Sequence, residues 1–165
     1  MKQFMLLLFL VLEIGVSSQT ISVDALRREY QQVNSDSASC AKLYSRVNKT
    51  SNSDIITNAY RGAISISMAK HSKEKKEKIK LFNTGKKILE ESIASDNSNI
   101  ELRFIRFTIQ TNCPKVLRYN KEIVTDKNFI LKNYTSTTNV AVKKMIVSFF
   151  SQSNAVTDSE KQKLK

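Results

Sequence analysis

The stretch ELRFIRFTIQ, residues 101–110, reads two ways, and the choice decides the fold. Leu102 and Phe104 alternate with charged residues, as an edge strand would. Wound as a helix, the same residues fall into two stripes. Leu102, Ile105 and Ile109 form one, and Phe104 and Phe107 form the other. A helix with two apolar stripes is a helix buried on two sides. Ser98 and Glu101 stand at capping-box spacing just upstream, so each side chain can satisfy the other's backbone amide. That favours helix, and a fifth helix of the chain is expected to begin there.

Working towards the N-terminus, Ile79, Phe82, Lys86, Leu89 and Ile93 recur at three- and four-residue steps and predict a fourth helix. A third is marked by Ile56, Tyr60, Ala63, Ile64, Ser67 and Met68, with Asp54 as its cap. Ala59 and Gly62 sit beside that stripe and would let a neighbouring helix come close. Cys40, Leu43, Tyr44 and Val47 mark a second helix, and Val23, Leu26, Tyr30 and Val33 a first, capped by Ser22. Towards the C-terminus, Pro114 fits the first turn of a sixth helix lined by Val116, Tyr119 and Ile123. FILKNY continues it or starts another after a break near Thr125. Val142, Met145, Ile146 and Phe149 form the last helix. The sum is an all-α chain of about seven helices in antiparallel hairpins joined by short polar loops. Residues 152–165 are polar and are expected to fray.

Composition agrees. Three glycines and one proline in 165 residues are too few for a turn-rich strand fold or for glycine loops that cradle nucleotides. MKQFMLLLFLVLEIGVSSQT, residues 1–20, has a positive start, a nine-residue apolar run from Phe4 to Leu12, and small residues after it. This is the pattern of a secretory signal peptide over residues 1–18, with Gln19 as the mature start. The expected location is periplasmic or secreted. Residues 19–151 then form a single helical domain, and no later run is long and apolar enough to span a bilayer. Losing residues 1–18 removes one Lys and one Glu, so the net charge stays at +12. Such a surface attracts anions of any kind. Cys40 and Cys113 can pair in an oxidising compartment, where a bridge would add about 4 kcal/mol by the chain-entropy argument. The bland reading makes them two buried thiols acting as small apolar residues.

GKKILEESIASDNSNIELRF, residues 85–104, resembles the second helix and following turn of a tetratricopeptide repeat. Gly85, Leu89 and Ser92 sit at the matching steps, and Asn97 stands where that family has a proline. Tyr60 and Ala63 resemble the preceding helix of such a repeat. The two halves lie further apart than the standard period, and the excess falls on HSKEKKEKI as an insertion in the inter-helix turn would. ELRFIRFTIQTNCPKVLRYN and DKNFILKNY are also similar to stretches of small exported bacterial proteins with tetratricopeptide-like helices. That resemblance covers residues 55–135 and carries no assigned activity. It implies a short stacked array with a concave face that binds a protein or peptide.

No residue pattern argues for catalysis. His71 is the sole histidine and falls at a helix end, where a cation suits the helix dipole. It has no nucleophile elbow near it and cannot make a two-histidine metal site. Glu90 and Glu91 are adjacent and diverge on a helix. Asp24, Asp54, Asp96 and Asp126 lie at expected helix ends, where capping explains them. The reading is therefore a non-enzymatic interaction module with no cofactor and no metal. Arg103, Arg106 and Tyr119 are the candidate partner surface, against the plainer alternative that the two arginines snorkel from a half-buried helix. The rival is docking on an anionic membrane or polysaccharide through residues 70–87. There Lys70, Lys73, Lys76 and Lys80 share one helical side as the candidate anion surface. The plainer alternative is a solvated face in an enlarged hairpin joint, with Lys70–Glu74 and Glu74–Lys78 at pairing distance. Nucleic acid is a poor partner, because aromatics and arginines do not interleave with those lysines.

Overall fold

The computed structural model describes residues 20–51 and 54–164. The expected signal peptide over residues 1–18 and the cut before Gln19 lie outside the described residues. Eight α-helices and no strand are found among the described residues. α1 (Val23–Tyr30) starts on Ser22, whose hydroxyl accepts from the Ala25 amide. α2 (Ser37–Lys49) starts on Asp36, whose carboxylate accepts from Ala38 and Ser39. α3 (Ile55–His71) starts on Asp54, which accepts from Thr57. Each cap satisfies amides that the helix itself cannot reach.

Only three residues separate α4 (Lys75–Ser95) from the end of α3. The enlarged joint expected over the lysine run is therefore absent. The excess length lies in the helices themselves, 17 residues in α3 and 21 in α4, and the lysines occupy the first turns of α4. The two helices form an antiparallel hairpin that closes on glycine. A Cβ placed on Gly62 would lie 2.7 Å from the Gly85 carbonyl oxygen, and one on Gly85 would lie 2.4 Å from the Gly62 oxygen. No side chain fits between them, as the small residues of α3 suggested. Ser65 Oγ adds a bond to the Leu81 carbonyl at 2.9 Å.

α5 (Ile100–Asn112) is a helix, and it starts at Asn99 rather than through the Ser98–Glu101 box. Asn99 Oδ1 accepts from the Glu101 and Leu102 amides, while Ser98 donates to Asp96. Both stripes of α5 are buried. Leu102, Ile105 and Ile109 enter a first core with residues of α1 to α4, including Leu26, Leu43 and Leu89. Phe104 and Phe107 enter a second core with Ile130, Ile146 and Phe150. A fully buried side chain of this size contributes about 1.5–3 kcal/mol, so α5 ties the two halves together from both sides.

The sixth helix does not begin at Pro114. Pro114 is extended, residues Lys115–Leu117 make one 3-10 turn, and Arg118 is left-handed with φ 49°. Val116 is outside the core rather than lining it. The chain turns back because Tyr119 is buried against α4: its ring meets Phe82 edge-on at 5.9 Å and its hydroxyl donates to Glu90 Oε1 at 2.5 Å. α6 (Ile123–Asn133) follows, then α7 (Val140–Gln152) on an Asn139 cap.

The polar C-terminal stretch carries a further helix and two buried anchors. α8 (Asp158–Gln162) has a full capping box between Thr157 and Glu160. Val156 and Leu164 are buried in the second core, and Lys127 Nζ reaches Glu160 at 3.0 Å. Cys40 and Cys113 are free thiols and the bridge is not formed. Cys40 is part of the first core, and burial raises its thiol pKa to about 11.

Candidate functional site

The three residues expected to face a partner turn inward. Arg106 and Tyr119 are buried, and Arg103 is nearly so. α5 carries both arginines onto Asp126 in the first turn of α6. Arg106 Nε donates to Asp126 Oδ2 at 2.7 Å and its Nη2 donates to Oδ1 at 2.8 Å. Arg103 Nη1 donates to Asp126 Oδ1 at 3.0 Å. Arg106 Nη1 also donates to Glu90 Oε2 at 2.7 Å, and Glu90 holds Tyr119 with its other oxygen. Two guanidiniums thus meet two carboxylates. Asp126 is not a cap but the centre of this cluster, and burying the arginines is tolerable only because it is there. A second, partly buried pair lies across α5: Arg27 donates from Nε and Nη2 to the two oxygens of Glu101 at 2.8 and 2.7 Å. Tyr60 donates to the same carboxylate at 2.9 Å.

Above Tyr60, α1, α3, α5 and α7 enclose a cleft of about 510 Å³. Its walls are Tyr30, Phe104, Met145 and Phe149, and its rim carries Asn34, Thr108, Asn112 and Gln152. Among the described residues the two tyrosines are its only ionisable lining residues. Their rings meet edge-on at 5.3 Å. Burial pushes the Tyr30 hydroxyl up to about 12, against weaker opposing hydrogen bonds. Burial and the Glu101 charge raise Tyr60 further. Both stay neutral at ordinary pH, so the cleft offers aromatic faces, hydroxyls and amides but no charge.

The raised tyrosines have a consequence for stability. An unfolded tyrosine ionises near pH 10, so unfolding releases protons above that pH. Stability should hold up to about pH 10 and fall as pH rises towards 12. Urea midpoints measured over that range should fall less steeply in Tyr30→Phe. An equal slope in wild type and variant would show that the Tyr30 hydroxyl is not sheltered.

The candidate anion surface stands outside the cores. Lys73, Lys76 and Lys80 are exposed, as are Lys75 and Lys78 between them. Lys70 is also exposed, but its ammonium donates to the Asn34 carbonyl at 2.9 Å. His71 Nε2 lies 2.8 Å from the Val33 carbonyl, so it ties the end of α3 to the segment after α1. The Lys70–Glu74 and Glu74–Lys78 pairs do not form. The one ion pair within α4 is Lys87–Glu91, at 3.9 Å. Glu77 instead accepts from Ser72 Oγ at 2.6 Å.

These features define an all-helical protein with two cores, a neutral cleft and a lysine-covered helix. Comparison of the chain with protein-family models, with curated proteins and with solved structures finds no match. Among the described residues no helix is long and apolar enough to cross a membrane, and no three potential ligands cluster as a metal site would need.

Proposed function

We propose that this chain is a non-catalytic, exported interaction protein that docks on an anionic surface through the lysines of α4. One observation carries the reading: Lys73, Lys75, Lys76, Lys78 and Lys80 are all exposed, and among the described residues none of their ammonium groups takes part in an ion pair or hydrogen bond. Four of these ammoniums stand in the first two turns of α4 and the fifth, that of Lys73, in the joint before it, and they repel one another unless an external anion offsets them. The reading as a tetratricopeptide-like module for a protein partner loses the contacts first assigned to it, since Arg106 and Tyr119 serve Glu90 and Asp126. It survives as a second proposal in the neutral cleft, whose aromatic walls and amide rim suit an uncharged peptide segment.

Salt separates the two. Surface docking works through charges screened over about 10 Å at 0.1 M salt, so affinity should fall steeply as salt rises. Lys75→Glu, Lys76→Glu and Lys78→Glu together should weaken binding to dextran sulfate by more than about 100-fold, since each cation near an anionic surface contributes about 1 kcal/mol. Binding to dextran sulfate that ignores both salt and these substitutions would defeat the proposal.

A further inference from the structure

We infer that the anionic surface is a lipid bilayer, into which the 3-10 turn at Lys115–Leu117 inserts Val116 and Leu117. This rests on the docking role proposed for the α4 lysines and names their partner.

Val116 is 84 % exposed and Leu117 39 % exposed, in the 3-10 turn that lies between α5 and α6. Isolated exposed aliphatics are ordinary on protein surfaces. Their surroundings are what matter here. Lys115, Arg118 and Lys121 are all exposed, so cations flank the two aliphatics along the chain. No carboxylate lies between Cys113 and Lys121. The tip is also fastened to the lysine helix. Tyr119, two residues after Leu117, packs on Phe82, lies under the Lys86 ammonium at 5.0 Å, and bonds to Glu90. Phe82, Lys86 and Glu90 follow one another along a single side of α4. One turn further towards the start of α4, on that same side, stands Ile79, itself 49 % exposed among Lys75, Lys76, Lys78 and Lys80.

The molecule thus presents aliphatic side chains and cations in one neighbourhood. The cations alone would fit any polyanion. A polysaccharide or nucleic acid gives nothing back for three exposed aliphatics, whereas the boundary between headgroups and acyl chains takes both kinds of group at once. Lysine stems can lie along the apolar layer while their ammoniums stay among the phosphates. Because Tyr119 holds the turn in place, little freedom is lost on insertion. A three-residue turn reaches only the interface, which agrees with the lack of a spanning helix among the described residues.

Both cores are built from residues 21–164, so the chain from Gln19 is the species to test. Binding is measured to mixed phosphatidylcholine–phosphatidylglycerol vesicles and, in parallel, to dextran sulfate. Val116→Ser with Leu117→Ser should lower vesicle affinity about tenfold and leave dextran sulfate binding unchanged. The chain has no tryptophan, so Val116→Trp gives a single reporter whose emission should shift to the blue with vesicles and not with dextran sulfate. Vesicle affinity unaltered by the serine pair, or an unshifted reporter on bound protein, would overturn insertion while leaving electrostatic docking in place. Binding to dextran sulfate without binding to vesicles would do the same. Failure to bind either would overturn docking and insertion together.

Discussion

Asp126→Ala should cost about 3–5 kcal/mol of stability, the range for removing one partner of a buried ion cluster. Asp126 has no exposed surface and accepts three hydrogen bonds, two from Arg106 and one from Arg103. Without it, the Arg106 guanidinium keeps Glu90 alone and stays buried with unpaired N–H groups. Arg103 suffers less, since its Nε still donates to the Asn97 carbonyl and its guanidinium lies 5.2 Å from the centre of the Phe129 ring. Asp126→Asn should cost less than Asp126→Ala because it keeps an acceptor in place. A domain of this size loses about 2–4 °C in Tm per kcal/mol, so Asp126→Ala should melt roughly 10 °C lower. Replacing the pair together, as Arg106→Met with Asp126→Leu, should recover much of the loss, because apolar packing carries no desolvation cost. Urea unfolding of the three variants checks the order. A loss below about 1 kcal/mol for Asp126→Ala would mean that water reaches the cluster and that it holds nothing together.

That cluster shows where a sequence stops being readable. Arg103 and Arg106 on a helix with two apolar stripes read from sequence as a partner surface or as side chains that snorkel out, whereas in the fold they meet an acid. Which acid it is depends on how α6 lies on α5, twenty residues away in the chain, and no periodicity records that. The same boundary runs through the fold. The double stripe of α5, the caps at Ser22 and Asp54, and the close approach at Gly62 are local patterns set by helix geometry, and all were legible. Pro114 also carried a local signal, for a helix start, but it lost to a tertiary one. Tyr119 meets Phe82 and Glu90 just after the chain passes through the left-handed Arg118. The tail looked polar because its anchors, Val156 and Leu164, are isolated in sequence and join a core only in space.

For the candidate sites the division is similar. The exposure of the lysines on α4 followed from their density, whereas their place in a helix rather than a joint did not. The cleft could not be read at all, since four helices each contribute a few ordinary residues to it. The sequence hides the exposed aliphatic turn for one reason: Val116 has the spacing of a helix stripe residue, while buried Tyr119 holds the chain out of that helix.

Gly85→Ala should destabilise the protein by about 3 kcal/mol, the upper part of the range for overpacking. In an open helix the same change would gain up to about 1 kcal/mol, because glycine is the poorer helix former. The sign reverses here because of what the new methyl group would meet. Its nearest neighbour is the Gly62 carbonyl oxygen at 2.4 Å, with Ser65 Cβ and Ile66 Cγ1 both at 2.9 Å. The oxygen belongs to the backbone of α3 and cannot swing aside as a side-chain end can. The helices must separate instead, and a gap of 0.5–1 Å forfeits about a quarter to a half of each dispersion contact along the seam. Gly62→Ala should behave alike, since its Cβ would meet Gly85 oxygen at 2.7 Å and the Leu89 amide nitrogen at 2.9 Å. Thr84→Ala, one residue away on the exposed side, supplies the control and should be neutral or slightly stabilising. Separation would also reach the surface. α4 carries both the lysines and the Phe82 seat of Tyr119, so a displaced α4 moves the cations and the aliphatic tip relative to each other. Gly85→Ala that remains folded should therefore bind anionic vesicles more weakly than wild type while its lysines are all intact. A Gly85→Ala protein as stable as wild type would show that α3 and α4 do not touch backbone to backbone, and the positioning of the lysine face by that contact would fall with it.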